Sequence, residues 1–195
     1  RLLSASSQVN SLGEVAVVDR FFRNSIKSSS AAAFDLDQLA NNYASYQSLI
    51  EPAEFTLDKM PANYMYMGWL LRAFPNCKII LMERDLRDVA SSAFANYFDS
   101  TAMSFTYRED WLEQKLEIYQ SQISAWEQRG VNALKVSYET LVTNPEITLR
   151  KIADQFDLKP FGVPDMTSMG GRSELPATLK LDGKSERLPL VVGHT

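Results

Sequence analysis

A chain of 195 residues, 45% of them hydrophobic, can bury one α/β core but not two independent ones. Charged residues make up 23% and the formal net charge is −4, which argues against a general binder of nucleic acid or of membrane surfaces, since such proteins are usually basic. The single cysteine, Cys77, excludes an internal disulfide, and no apolar run reaches the ~20 residues that span a bilayer. No signal peptide is visible, and a cytoplasmic setting is the expectation. The chain opens with Arg1-Leu2-Leu3 and no initiator Met, so it reads as a piece of something longer.

Taken in order, Leu2 to Val18 is apolar with small polar breaks and reads as a helix tail, a turn at Gly13 and a new helix. Ser28 to Ala33 is low in complexity and reads as a loop. Leu36, Leu39, Tyr43, Tyr46 and Ile50 recur at steps of three or four and predict a helix over 36–50. Phe55 to Lys59 is a short strand stopped by Pro61. Asn63 to Phe74 is apolar on nearly every side and predicts a buried helix. Lys78 to Met82 is a continuous apolar run of strand length, as in a central parallel strand. Asp85 to Tyr97 predicts a helix rich in Ala and Ser.

Leu112, Leu116, Tyr119, Ile123 and Trp126 form one stripe of a helix over 111–126. Ala133 to Ser137 is a further short strand. Asn144-Pro145-Glu146 predicts a helix start with a side-chain cap, Pro in the first turn and an acid at the positive dipole end. Leu149, Ile152, Ala153 and Phe156 are its apolar face. Residues 160–195 are rich in Gly, Pro and Ser and give no clear assignment. One domain over 1–195 is expected.

Strands alternating with helices imply an α/β fold with a mostly parallel sheet flanked by helices. Ligands bind such sheets beyond the carboxyl ends of the strands. The residues at those ends are Lys59, Arg84 and Tyr138, a coherent candidate site. In Lys78 to Phe98 an apolar strand ends in Glu83-Arg84-Asp85, and Ser92 follows Arg84 by eight residues. A strand-end guanidinium can fork onto a phosphate and a hydroxyl from the next helix can add a contact. Surface pairing of Arg84 with Asp85 or Asp88 is the competing reading.

This segment resembles the 3′-phosphate-binding motif of the PAPS-dependent sulfotransferases, with Arg84 and Ser92 at the two phosphate-holding positions. Asp58-Lys59-Met60-Pro61 is similar to an Asp-Lys-x-Pro stretch of the bacterial and tyrosylprotein-type branch. The resemblance places Lys59 near the transferring sulfuryl group; alone, Lys59 also reads as a surface lysine. Val9 to Glu14 resembles the branch's Val-x-x-x-Gly-Glu stretch, which gives Glu14 the part of general base, although Ser6-Ser7-Gln8 replaces the usual His-Pro. A glutamate favoured at a helix start is the alternative. Lys135 to Val142 is similar to the family's strand-to-helix junction and makes Tyr138 a nucleotide contact, against the plain reading of a Tyr packed at a strand end. In the C-terminal segment Lys184 and Arg187 are the candidates to cover the nucleotide, against the reading of a solvated loop.

The resemblance covers roughly Leu2 to Phe156. It implies a P-loop-like three-layer fold and a sulfuryl group moved from PAPS (3′-phosphoadenosine 5′-phosphosulfate) to a hydroxyl or amine. The acceptor would be a protein tyrosine, a carbohydrate or a lipid headgroup, and neither a metal nor nucleic acid takes part. The family's first strand and phosphosulfate loop find no counterpart, so bare strand edges are expected where that strand would lie. The other readings are a degenerate or truncated nucleotide-binding domain without catalysis, and a P-loop kinase-like phosphotransferase, whose Gly-x-x-x-x-Gly-Lys-Ser/Thr string this sequence lacks. His194 reads as incidental and Cys77 as a packing residue.

Overall fold

The computed structural model describes residues 2–27, 35–98, 101–164 and 185–194. Its strands form one five-stranded sheet in the order β1-β2-β5-β3-β4: β1 Val9–Gly13, β2 Phe55–Asp58, β3 Lys78–Asp85, β4 Leu134–Ser137 and β5 Ser185–His194. β1 pairs parallel with β2, and β3 parallel with β4. β5 runs antiparallel to both β2 and β3, so the four earlier strands all point one way. This is the mostly parallel α/β sheet expected.

Alternation along the strands feeds two cores. Ile79 and Leu81 of β3 join one apolar cluster, and Ile80 between them joins the other. All three are at most 2% exposed, which is why the run from Lys78 to Met82 is apolar throughout rather than alternating. The first cluster is closed by α1 (Val17–Lys27), α2 (Leu36–Gln47), α3 (Met67–Ala73) and α5 (Glu109–Gln128). The second is closed largely by α7 (Pro145–Phe156), through Leu149, Ile152, Ala153 and Phe156. Two short helices, α4 (Leu86–Ala95) and α6 (Tyr138–Thr143), leave the carboxyl ends of β3 and β4 directly.

Side-chain caps set where several helices begin. Asp35 accepts the Gln38 N–H at 3.0 Å, Asp85 the Arg87 N–H at 2.8 Å, and Ser137 the Thr140 N–H at 3.1 Å. Each such cap is worth about 0.5–2 kcal/mol. The helix expected over 63–74 divides into a 3-10 turn, Pro61–Tyr66, and α3. Gly68 in α3 lets Trp126 of α5 pack close against the backbone, for a Cβ there would stand 2.4 Å from its ring. The Trp126 indole N–H then donates to the Tyr64 carbonyl at 2.9 Å. Cys77 is buried, and burial pushes its thiol up to about 11, consistent with packing alone.

Four expectations need correction or lie elsewhere. Val9–Gly13 is a strand, not a helix tail; backbone pairing with β2 overrides a weak local pattern, and only Val9 of the five is fully buried. Bare strand edges are expected where the family's first strand would lie; β2 and β3 instead both pair with β5, a strand found within the unassigned C-terminal segment. Asn144 does not cap α7 with its side chain, whose Nδ2 instead donates to Thr143 Oγ1 at 3.1 Å. Asn144 also ends α6, its N–H donating to the Thr140 carbonyl at 2.8 Å, and that junction fixes its conformation. The loop expected over 28–33 lies outside the described residues.

Candidate active site

The carboxyl end of the β1–β2 pair is built on a turn. The register between the strands shifts at Ser11/Gly13, and Gly13 has φ +72°, a conformation glycine adopts freely. The Gly13 N–H donates to Ser11 Oγ at 3.0 Å, and the Gly13 carbonyl accepts the Lys59 N–H at 3.0 Å. Glu14 and Lys59 therefore leave adjacent strand ends side by side, and their side chains form an ion pair. Both are about half exposed, so water screens the attraction. Partial burial pulls the Lys59 ammonium below its ordinary pKa.

Under this pair lies Asp58, only 2% exposed. Its Oδ2 accepts the Tyr43 hydroxyl from α2, and the Asn63 amide at 2.9 Å. Burial pushes the Asp58 carboxyl up; the donors Tyr43 and Asn63 and the Val15 N–H pull the other way without cancelling it. Burial beside Asp58 likewise pushes the Tyr43 phenol up. Asp58 thus ties α2, the 3-10 turn and the segment after Glu14 to the strand end that carries Lys59. Sequence reasoning assigns no part to Asp58, Tyr43 or Asn63. The available signal is an acid as the last residue of an otherwise apolar strand.

At the carboxyl end of the β3–β4 pair, the Arg84 guanidinium lies over the Tyr138 ring, 4.7 Å from its centroid. Glu139 clips the two strand ends together. One of its carboxylate oxygens accepts the Asp85 N–H at 3.0 Å and the other the Ser137 hydroxyl at 2.8 Å. Partial burial pushes Glu139 up, but these donors, its own N–H and the nearby Arg84 outweigh it, and the carboxyl is held below the usual range. Arg84 Nε and Nη2 are buried and, among the described residues, have no hydrogen-bond partner. The competing reading, a surface pairing of Arg84 with Asp85 or Asp88, does not form among the described residues; Asp85 is occupied as the cap of α4.

Ser92 lies half-buried two turns into α4, the helix that leaves the Arg84 strand end. The backbone of Arg187 in β5 pairs with Glu83, which brings it to the same end of the sheet as Arg84. Lys184 lies outside the described residues. His194 pairs with Phe55 at the opposite end of β2, away from every candidate residue. The structure therefore brings together Glu14 with Lys59, and Arg84 with Tyr138. Both groups lie at carboxyl ends of strands that point the same way, on either side of β5, but Asp58 pairs with Val191 and Arg84 with Glu186, so the Arg84 group lies five residues further along β5. Glu139 is a further residue that sequence reasoning misses, although it directly follows Tyr138 at the strand end.

Two comparisons bear on this arrangement. A protein of Aquifex aeolicus (strain VF5), described only as uncharacterized, is 26% identical over 132 residues. That stretch is 66% of this chain but 16% of the relative, so the chain spans about a sixth of that protein's length. The model of the Sulfotransferase family matches residues 1–161, a span that holds Glu14, Lys59, Arg84, Ser92 and Tyr138, and the chain belongs to that family.

Proposed function

We propose that this chain carries the donor and transfer site of a sulfotransferase that uses PAPS and a hydroxyl-bearing acceptor. The observation that carries the reading is Arg84. Two buried guanidinium nitrogens without partners are costly, about 1–3 kcal/mol or more for charged donors, and an anion removes that cost. Tyr138 holds the guanidinium from its face and leaves the edge nitrogens for a phosphate. Ser92, from the next helix, adds a hydroxyl to the same anion, and β5 carries Arg187 to this end of the sheet.

When bound, PAPS supplies the sulfuryl group and the bisphosphate that leaves with its electrons. Glu14 takes the proton of the acceptor hydroxyl as the acceptor oxygen bonds to sulfur. The bond between sulfur and the 5′-phosphate oxygen breaks on the opposite side, and Lys59 neutralises the charge growing on that oxygen. Asp58 keeps Lys59 and the Glu14 segment in register, so base and cation face one reacting centre. The sequence features of the bacterial and tyrosylprotein-type branch support the same roles.

Calorimetry with adenosine 3′,5′-bisphosphate tests the reading. The protein should bind, and Arg84→Ala should weaken binding by about 1.5–3 kcal/mol, roughly 10- to 150-fold. A folded protein that does not bind, or an Arg84→Ala variant that binds as well as the parent, would sink it.

A further inference from the structure

A groove of about 510 Å³ runs between α1 and α2, within the roughly 300–1,000 Å³ range of small-molecule sites. Its floor is Val17 and Phe21, and its walls carry Arg20, Asn24, Gln38 and Asn42, with Tyr46 at one end. The C-terminal part of α2 lies by the start of α1, since Tyr43 donates to Asp58, which also receives the Val15 N–H just before α1. The Tyr46 end adjoins the transfer site by two independent routes. Val17 follows Glu14 by three residues. Tyr46 sits one turn beyond Tyr43, whose hydroxyl holds Asp58 beside Lys59.

The lining has a definite chemistry. Among the described residues no carboxylate contributes to it, although acids outnumber bases 24 to 20 in the chain. Among the described residues, the side chains of Arg20, Asn24, Gln38 and Asn42 make no hydrogen bond or ion pair. Arg23, on the same helix as Arg20, is by contrast paired to Asp19. Amide side chains offer a donor and an acceptor together, which is what a sugar hydroxyl needs from its partner. Aromatic side chains at the floor and end suit the C–H face of a sugar ring, and Arg20 suits a carboxylate or sulfate on that ring. A lipid acceptor would call for a mainly apolar lining. A tyrosine with acidic flanks would call for several cations where there is one.

Resting on the sulfotransferase reading above, we infer that this groove is the acceptor subsite and that its ligand is a carbohydrate, bound best when it carries an acidic substituent. The acceptor hydroxyl would enter past Tyr46 to Glu14, while the rest of the saccharide lies along α1 and α2.

Side-chain amide signals in ¹⁵N-correlation NMR read the groove directly. N,N′-diacetylchitobiose and a glucuronate-containing disaccharide serve as probes, with acetyl-Ala-Tyr-Ala-amide as the competitor class. Both saccharides should shift the Asn24, Gln38 and Asn42 amide signals. Asn42→Ala should weaken that binding roughly 2- to 10-fold, as for one lost hydrogen bond. Arg20→Gln should erase the advantage of the glucuronate probe while leaving chitobiose binding unchanged. These residues are exposed, and the unchanged remainder of the spectrum certifies the fold of each variant. The inference is overturned if neither saccharide moves the groove signals, if the tyrosine peptide moves them instead, or if the double variant Asn24→Ala/Asn42→Ala binds saccharide undiminished. Adenosine 3′,5′-bisphosphate titrated into the same sample separates the two readings. Saccharide binding without nucleotide binding removes the donor assignment and keeps the groove; the converse removes the groove and keeps the donor assignment.

Discussion

At the carboxyl ends of β1 and β2 the charged groups are already matched. Glu14 and Lys59 hold each other, and Asp58 beneath them receives two donors on one oxygen. At the ends of β3 and β4 the guanidinium of Arg84 has a ring on its face, yet two of its buried nitrogens have no hydrogen-bond partner among the described residues. The two strand-end groups thus differ in what they lack. The first pairs its two charged side chains with each other, although Asp58 Oδ1 and Asn63 Oδ1 beneath them are buried with no hydrogen-bond partner among the described residues. The second, on the proposed reading, is completed by an anion. An unsatisfied buried cation is the better pointer to a ligand, because the folded chain alone gives no return for its desolvation.

The sharpest way to break this comparison is at Arg84. Arg84→Gln should lose about 1.5–3 kcal/mol of affinity for adenosine 3′,5′-bisphosphate and yet cost the free protein little stability, since the half-screened contact with the Tyr138 ring is offset by removing a charge whose Nε and Nη2 are buried without partners among the described residues. Titration calorimetry and urea unfolding of the same variant check both halves. A clear loss of stability would mean that Arg84 is a structural cation and that the contrast between the two ends is false.

Asp58 tests the matched end. Asp58→Ala leaves the Tyr43 hydroxyl and the Asn63 amide buried without their acceptor and should cost about 1–3 kcal/mol in urea unfolding. Asp58→Asn should cost far less, because one amide oxygen can take the place of Oδ2 and receive both donors. The pH dependence has a definite sign. Burial raises the Asp58 carboxyl in the folded state above its ordinary value of 3.8, so its favourable contribution is full below that value and is lost as pH rises through the folded pKa. Asp58→Asn should therefore gain on the parent as pH rises above 3.8, and a parent that instead gains on Asp58→Asn would show that the carboxylate form is the one the fold favours.

These contrasts also mark which features the amino-acid sequence makes legible by itself. Lys78 to Met82 is legible as a strand because β3 is covered on both faces, and burial on both sides writes a continuous apolar run into the sequence. Arg84 and Lys59 are legible because strand ends are where an α/β sheet binds ligands. Val9–Gly13 is not, since a strand whose residues are mostly part-exposed needs little apolar pattern and takes its conformation from pairing with β2. β5 is not, because its partners come from distant parts of the chain; Arg187 meets Glu83 through a register that no local signal encodes. Asp58 stands in plain view before Lys59, but its role depends on Tyr43, fifteen residues away and on another element. The paired-up state of an acid is a tertiary fact, whereas the type of a strand end is a local one.

A finer comparison concerns how each half holds its cation. Tyr138 is 36% exposed, so its attraction for Arg84 is partly screened. Tyr138→Leu should reduce affinity for the bisphosphate by about 0.5–1 kcal/mol, two- to fivefold, with Arg84→Gln in the same background showing whether the two effects share one interaction. Strict additivity in calorimetry would place Tyr138 outside the anion site.

Lys59 offers the smallest effect and separates two causes. Its ammonium lies against Glu14, which by itself would raise its pKa, but partial burial acts in the opposite sense and sets the net direction downward. The half-exposed pair is screened by water, so Glu14 contributes little to the outcome. A lowered lysine pKa means that the folded chain binds fewer protons than the unfolded chain between the folded pKa and 10.5, and its stability rises with pH across that window. Methyl-lysine NMR on ¹³C-dimethylated protein should show Lys59 titrating below the other lysines. In Glu14→Gln that titration should move only slightly. A large further drop would show that the ion pair, not the surroundings of the strand end, governs the charge on Lys59. The matched half of the site would then depend on Glu14 remaining ionised, and a base that accepts the acceptor proton would weaken its own neighbouring cation as it does so.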